Sequence, residues 1–304
     1  MRTAIVNVAP NRKARRWPAR GAERECIVML IQYCRALAWM LLSPLCCGAA
    51  WGQPIMLRSL TYADLADLSL SAQIVAKIHV TEVIDLPARP EVQPANGVVR
   101  RYIEGQISVL IKGPQDMPSA LKFVAQMPVD ARGKAEKIKK TDQIIFARSV
   151  PRQPDTVQII APDAMIDWTS GEESTAHSII AESLRRGAPP HIRGVDSIFS
   201  APGDIPGQRE SQFFLKTDSQ PVSITFFRKP DTPPSWTVAL GELTDAGLPP
   251  PHHDTLLWYE LACQLPDALP SALLEAQDAT SSDALKDDYK VIRTDLGPCD
   301  RTRH

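Results

Sequence analysis

Past residue 72 the chain alternates. Ile74, Ala76, Ile78 and Val80 place apolar side chains at every second position, and Ile103, Gly105, Ile107 and Val109 repeat the pattern in the next run. A period of two belongs to strands that bury one face. Runs rich in β-forming residues begin at 72, 98, 120, 142 and 156. Polar or turn-forming clusters separate them at 87–97, 113–118 and 130–141. The last cluster carries Lys134, Lys137, Lys139 and Lys140 and reads as a solvated turn. A second set of strands is expected from runs beginning at 195, 211, 221, 235 and 254. Thr217-Asp218-Ser219-Gln220 is a tight-turn signal between two of them and predicts a hairpin.

Helical spacing is confined to a few segments. Thr61-x-x-Asp64 resembles a cap and is followed by Leu65 and Leu68, which predicts a short helix. Between the two sets of strands, residues 170–187 carry Ser170-x-x-Glu173 as a capping box and Ala176, Ile179, Ile180 and Leu184 as an apolar stripe. Arg185, Arg186 and Gly187 close it, and Ala188-Pro189-Pro190 stops it. After Pro266 the chain turns polar and acidic. One helical stretch is expected at 271–277 and a second after Ser282, within a loosely ordered tail.

Composition narrows the picture. In 304 residues, 44% are hydrophobic, too many for a disordered chain, and 27 prolines against 15 glycines argue against a bundle of long helices. The apolar stretch Ala36 to Gly52, behind Arg35 and an Arg-rich segment, has the layout of a signal peptide, with cleavage expected before Gln53 and Met29 as a candidate true start. Retained, the same stretch would be an anchor, although it is short of the roughly 20 apolar residues of a membrane span. Cys46 and Cys47 lack the small residue that precedes a lipidated cysteine. Loss of residues 1–52 removes eight Lys and Arg and two Glu, leaving 26 basic and 33 acidic residues and a net charge of −7. So acidic a body argues against binding nucleic acid by charge. Only Cys263 and Cys299 remain, and in an oxidising compartment they are expected to form one disulfide, worth about 2 to 4 kcal/mol.

Chemistry-bearing clusters are sparse. His252, His253 and Asp254 are the one local grouping of metal-type ligands, but neighbours in extended chain point to opposite faces, so they make a weak metal site. No cofactor is expected, and no Gly-x-Ser-x-Gly elbow or phosphate-binding glycine loop occurs. His79, His177 and His191 stand apart in sequence. Pro202-Gly203-Asp204-Ile205-Pro206-Gly207 reads as a pair of turns that could also shape the edge of a groove.

Over residues 60–162, the long first strand, the second strand ending in Ile111-Lys112-Gly113 and the later run Asp142-Gln143-Ile144-Ile145-Phe146 resemble an OB-type barrel. The chain as a whole is similar to exported bacterial proteins whose resemblance carries no activity with it. The expected fold is mainly β, of α+β type: a small antiparallel OB-like barrel, a second antiparallel sheet, and one well-capped connecting helix. The expected divisions are a signal peptide at 1–52, the barrel at 53–165, the connecting helix at 166–190, a β domain at 191–266 and a tail at 267–304.

Functionally, the residues point to an exported periplasmic or envelope protein that binds or assembles. Its partner is expected to be an envelope protein or ligand, with no nucleic acid and with the membrane touched only through an uncleaved N-terminal segment. Two alternatives stand beside it: an exported hydrolase using His252 or His253 with a distant carboxylate, and a membrane-tethered structural protein of the envelope.

Overall fold

The computed structural model describes residues 60–87, 97–241 and 247–303. The segment expected to be a signal peptide, with its four cysteines, lies outside them. Within them the protein is mainly β, with a closed five-stranded barrel, a separate four-stranded antiparallel sheet and few helices.

Helix α1 (Tyr62–Ser71) opens the fold with the capping box that its sequence predicts: the Thr61 hydroxyl accepts from the Asp64 amide and Asp64 accepts from the Thr61 amide. At its other end the Lys112 ammonium donates to the carbonyls of Ser69 and Leu70, a cation placed where the helix dipole is negative. Burial holds that ammonium below its ordinary pKa.

The barrel is built from β1 (Ile74–Asp85), β2 (Val98–Lys112), β3 (Ala120–Pro128), β4 (Asp142–Val150) and β5 (Gln153–Ile159). They run in the order β1-β2-β3-β5-β4, and β1 closes the ring by pairing with β4 as well. A short β6 (Met165–Asp167) extends the sheet beside β4. The long β1 serves two neighbours because three register shifts against β2 bend it. Gly105 lies where a Cβ would stand 2.9 Å from Ile78 Cδ1 and 3.2 Å from the His79 carbonyl oxygen, so a side chain there would press on the buried Ile78 and on β1.

Inward-facing Ile78, Val80, Ile103, Leu121, Phe123, Ile145 and Val157 fill the barrel. Ile138, from the lysine-flanked loop, joins them at 3% exposure, so the segment read as a solvated turn also supplies a plug.

Helix α2 (Ser170–Ser183) forms close to where it is expected, with its cap one residue earlier. Thr169, not Ser170, accepts from the Glu172 amide, while Glu173 takes the Trp168 indole N–H. Ala176, Ile179 and Ile180 are buried as the stripe predicts, whereas Leu184 lies past the helix at 77% exposure.

The second sheet is a meander of β7 (Ile192–Pro202), β8 (Arg209–Thr217), β9 (Val222–Lys229) and β10 (Thr232–Leu240). The Thr217 hydroxyl donates to the Gln220 carbonyl in the expected hairpin turn. Phe213, Leu215, Ile224, Phe226, Trp236 and Val238 bury its inner face.

Two expectations for the C-terminal third are corrected. The run from 254 is not a strand. It is helix α3 (Leu256–Gln264), whose N-cap Thr255 accepts from the Trp258 amide. Residues 256–262 are all buried, so the run shows no amphipathic period, and a continuous apolar run fits either element. The tail is not loosely ordered. After α4 (Ser271–Glu275), the 18-residue α5 (Ala279–Leu296) buries Leu285, Tyr289, Ile292 and Leu296. They join a second core with α1, α2, α3 and the inner face of the meander.

The Asp288 carboxylate of α5, fully buried, receives both Arg209 and Arg228 of the sheet and the Ser211 hydroxyl. The expected Cys263–Cys299 disulfide is present, with Cα atoms 4.9 Å apart, and it ties the following segment to α3 rather than to a strand.

Candidate functional site

Strand β3 is paired along its whole length to β2 on one side. On the other side it meets β5 at a single position, Lys122 opposite Thr156. Sequence chemistry accounts for the gap. Pro154 has no N–H to give a ladder, and the next residue, Asp155, reaches across the seam to Lys122 at 2.6 Å. The hydrogen bond in that ion pair holds the Asp155 carboxyl below its ordinary pKa and Lys122 above its own.

Beyond the bridge the two strands part around a cleft of ≈700 Å³. From β3 it is lined by Phe123, Val124, Ala125 and Gln126, and from the facing side by Gln153, Thr156, Gln158 and Ile160. Val124 is 41% exposed, an apolar side chain presented beside an unladdered edge. Tyr102 closes one wall, and its hydroxyl donates to Glu104 at 2.6 Å, a bond that raises the phenol's pKa.

Arg148 lines the cleft and also a neighbouring cavity of ≈370 Å³, which shares Ile160 and Ala161 and is bounded by Asp67 and Arg303. Among the described residues, the Arg148 guanidinium takes part in no hydrogen bond or salt bridge. Chemically the cleft offers main-chain donors and acceptors, side-chain amides, a small apolar surface and two cations, Lys122 engaged by Asp155 and the unpaired Arg148. That set suits an extended chain with regularly spaced backbone polar groups.

The residues that sequence reading singled out lie elsewhere. His253 stands between two carboxylates, with Nδ1 2.8 Å from Asp254 and Nε2 3.2 Å from Asp300, and its ring rests 3.8 Å from the Trp258 ring. His252 contributes its carbonyl to the Thr255 hydroxyl. Thus His253 and Asp254 come together and His252 does not join them, and neither imidazole lines the cavities described here. Among the described residues, no group of three or more His, Cys, Asp or Glu is placed to hold a metal ion. The loop at 202–207 does form turns, closed by Gly203 donating to Gln208 and Gln208 to Ile205.

Two histidines taken as isolated have carboxylate partners remote in sequence. His79 Nδ1 lies 2.8 Å from Asp142 on the neighbouring strand, and His191 Nδ1 lies 3.2 Å from the buried Glu260. Sequence reasoning missed the cleft itself. Its one local signal was Pro154, just ahead of the fifth run.

No protein-family model and no curated protein matches the chain.

Proposed function

We propose that this is an exported binding module of the cell envelope whose barrel takes up an extended polypeptide segment by strand addition in the β3–β5 cleft. The observation that carries the reading is the single-residue pairing at that seam. A strand laid there satisfies two edges at once, and main-chain hydrogen bonds give affinity while side chains at alternate positions give selectivity. Val124 supplies an apolar contact for one such side chain. The free guanidinium of Arg148 favours an acidic residue toward the Ala161 end.

Export is supported by the apolar segment from Ala36 to Gly52 and by a disulfide that persists only where thiols are oxidised. On this reading the mature chain begins at Gln53 and intact mass spectrometry of the envelope-derived protein gives that N-terminus. Retention of Ala36 to Gly52 favours the tethered alternative.

The binding test is selection of unstructured ten-residue peptides on the mature protein, with Val124→Trp and Arg148→Glu as variants. Selected peptides are expected to lose binding to Val124→Trp and to weaken on Arg148→Glu. They are also expected to protect the amides of Val124 and Gln126, which face away from β2, from hydrogen exchange. Failure to enrich any peptide, or equal binding by Val124→Trp, overturns the proposal.

A further inference from the structure

A second cavity, of ≈710 Å³, lies beside α5, distant in sequence from the barrel cleft. Its volume falls in the range of sites for small organic ligands, about 300 to 1,000 Å³. One wall is apolar, formed by Leu269, Leu274 and the ring of Tyr289. Leu269 and Tyr289 are buried, and the Tyr289 hydroxyl donates to the Pro266 carbonyl at 2.6 Å, which occupies the polar end of that side chain.

The other wall is cationic. Lys286, Lys290 and Arg293 stand at i, i+4 and i+7 of α5, one stripe of the helix. Their charges differ in availability. Arg293 donates to the carbonyls of Leu261 and Ala262 and pairs with Asp267 at 3.1 Å, so it caps α3. Lys286 pairs with Asp283 at 3.1 Å. Among the described residues, the Lys290 ammonium has no hydrogen-bond or salt-bridge partner. Asp267, the one carboxylate in the lining, is already engaged by Arg293. Pro298 completes the cavity, and the neighbouring Cys299 holds that wall to α3 through the disulfide.

An apolar pocket with one uncommitted cation at its rim matches a ligand with an apolar chain and an anionic head. We propose that this cavity binds a single-chain anionic amphiphile of the fatty-carboxylate class. The chain lies on Leu269, Leu274 and Tyr289, and the head pairs with Lys290. A cationic head would face three like charges, and a neutral one would leave the Lys290 charge unused.

The test is isothermal titration of the oxidised mature protein with sodium dodecanoate below its micelle-forming concentration, with dodecyltrimethylammonium and dodecanol as comparators. Dodecanoate is expected to bind at one site, and the cationic amphiphile at least about tenfold more weakly, the scale of one charge-assisted contact. Lys290→Glu is expected to weaken dodecanoate by a similar factor, and Ala268→Trp, at an exposed lining position, to abolish binding by filling the cavity. Lys216→Glu, exposed on β8, is expected to leave affinity unchanged, and melting temperatures show that each variant is folded. Absence of dodecanoate binding, as for a groove that takes a protein segment instead, overturns the proposal. So does equal affinity for the cationic amphiphile, or affinity unaltered by both cavity variants.

Discussion

Asp64 and Glu260 are both buried carboxylates, at 0% and 3% exposure, and their surroundings push them in opposite directions. For Asp64, burial pulls the pKa up, but the Thr302 hydroxyl and the amides of Arg303, Thr302 and Thr61 all donate to it and together hold it below the ordinary value. For Glu260, burial dominates and raises the pKa, with only the Ile192 amide and His191 opposing.

The signs for stability follow. A lowered folded pKa gives Asp64 a stabilising contribution that is present above the unfolded pKa and lost as pH falls through the folded one. A raised folded pKa makes Glu260 favourable below its unfolded pKa and progressively less so as pH rises through the folded one. Asp64→Ala, which strands several buried donors, is therefore expected to cost about 3 kcal/mol at neutral pH and less in acid. Glu260→Gln keeps an acceptor for the Ile192 amide and removes the desolvated charge, so it is expected to be neutral or stabilising by about 1 kcal/mol at pH 8 and neutral at pH 4. Urea titrations at both pH values read the two slopes, and parallel pH profiles for the two variants contradict this assignment.

At the scale of elements, the contact between α5 and the meander decides whether the second core forms. Phe213 meets the Tyr289 ring with centroids 5.6 Å apart, and the Trp236 indole donates to Asp295 at 2.9 Å. At the centre, Arg209 grips Asp288 with two nitrogens at 2.9 and 2.7 Å, and Arg228 adds two more at 2.8 and 3.3 Å. Removing the carboxylate alone leaves two half-buried arginines and the Ser211 hydroxyl facing each other, so Asp288→Ala is expected to cost about 3 to 5 kcal/mol. Replacing all three charged residues together, Asp288→Leu with Arg209→Met and Arg228→Met, is expected to cost less than the single change, because no charge is left without its counterion. Thermal unfolding of the two variants checks the order.

The same region marks where sequence reading stopped. The barrel strands were legible because alternation is local, and the α1 cap because Thr61 and Asp64 are three residues apart. Helix α3 was misread because complete burial erases the helical period. The long α5 was underestimated because its polar positions looked solvated, although Asp288 meets its partners 60 and 79 residues away. The β3–β5 seam was invisible for a similar reason, since it joins strands that local patterning cannot pair.

Across the whole molecule, the segment after α5 joins parts far apart in sequence. Arg301 pairs with Asp67 and Arg303 with Asp163 through two nitrogens each, while Thr302 and Arg303 donate to Asp64. These contacts run to α1 and to the connection after β5. The disulfide holds the start of the same segment to α3 across a sequence separation of 36 residues. Closing a loop of that size is worth about 3 to 4 kcal/mol by chain entropy, the expected cost of Cys263→Ser with Cys299→Ser.

The two anchors act on one strap, so their effects are not independent. With the disulfide in place, residues 300–303 start close to Asp64, and docking orders few further bonds. Without it, the hydrogen bonds to Asp64 must order a longer free segment, and each contributes less to the folded state. With Asp64→Ala, conversely, the proximity enforced by the disulfide has less to organise. The combined variant is therefore expected to lose less stability than the sum of its parts, by about 1 kcal/mol, the scale of coupling between residues that share partners. Denaturant titration of the wild type, the two separate changes and the combination measures the coupling, with carboxypeptidase trimming as a local readout. Trimming is expected to accelerate in both separate variants and little further in the combination. Strict additivity in both measurements would mean that the strap docks from either end without help from the other.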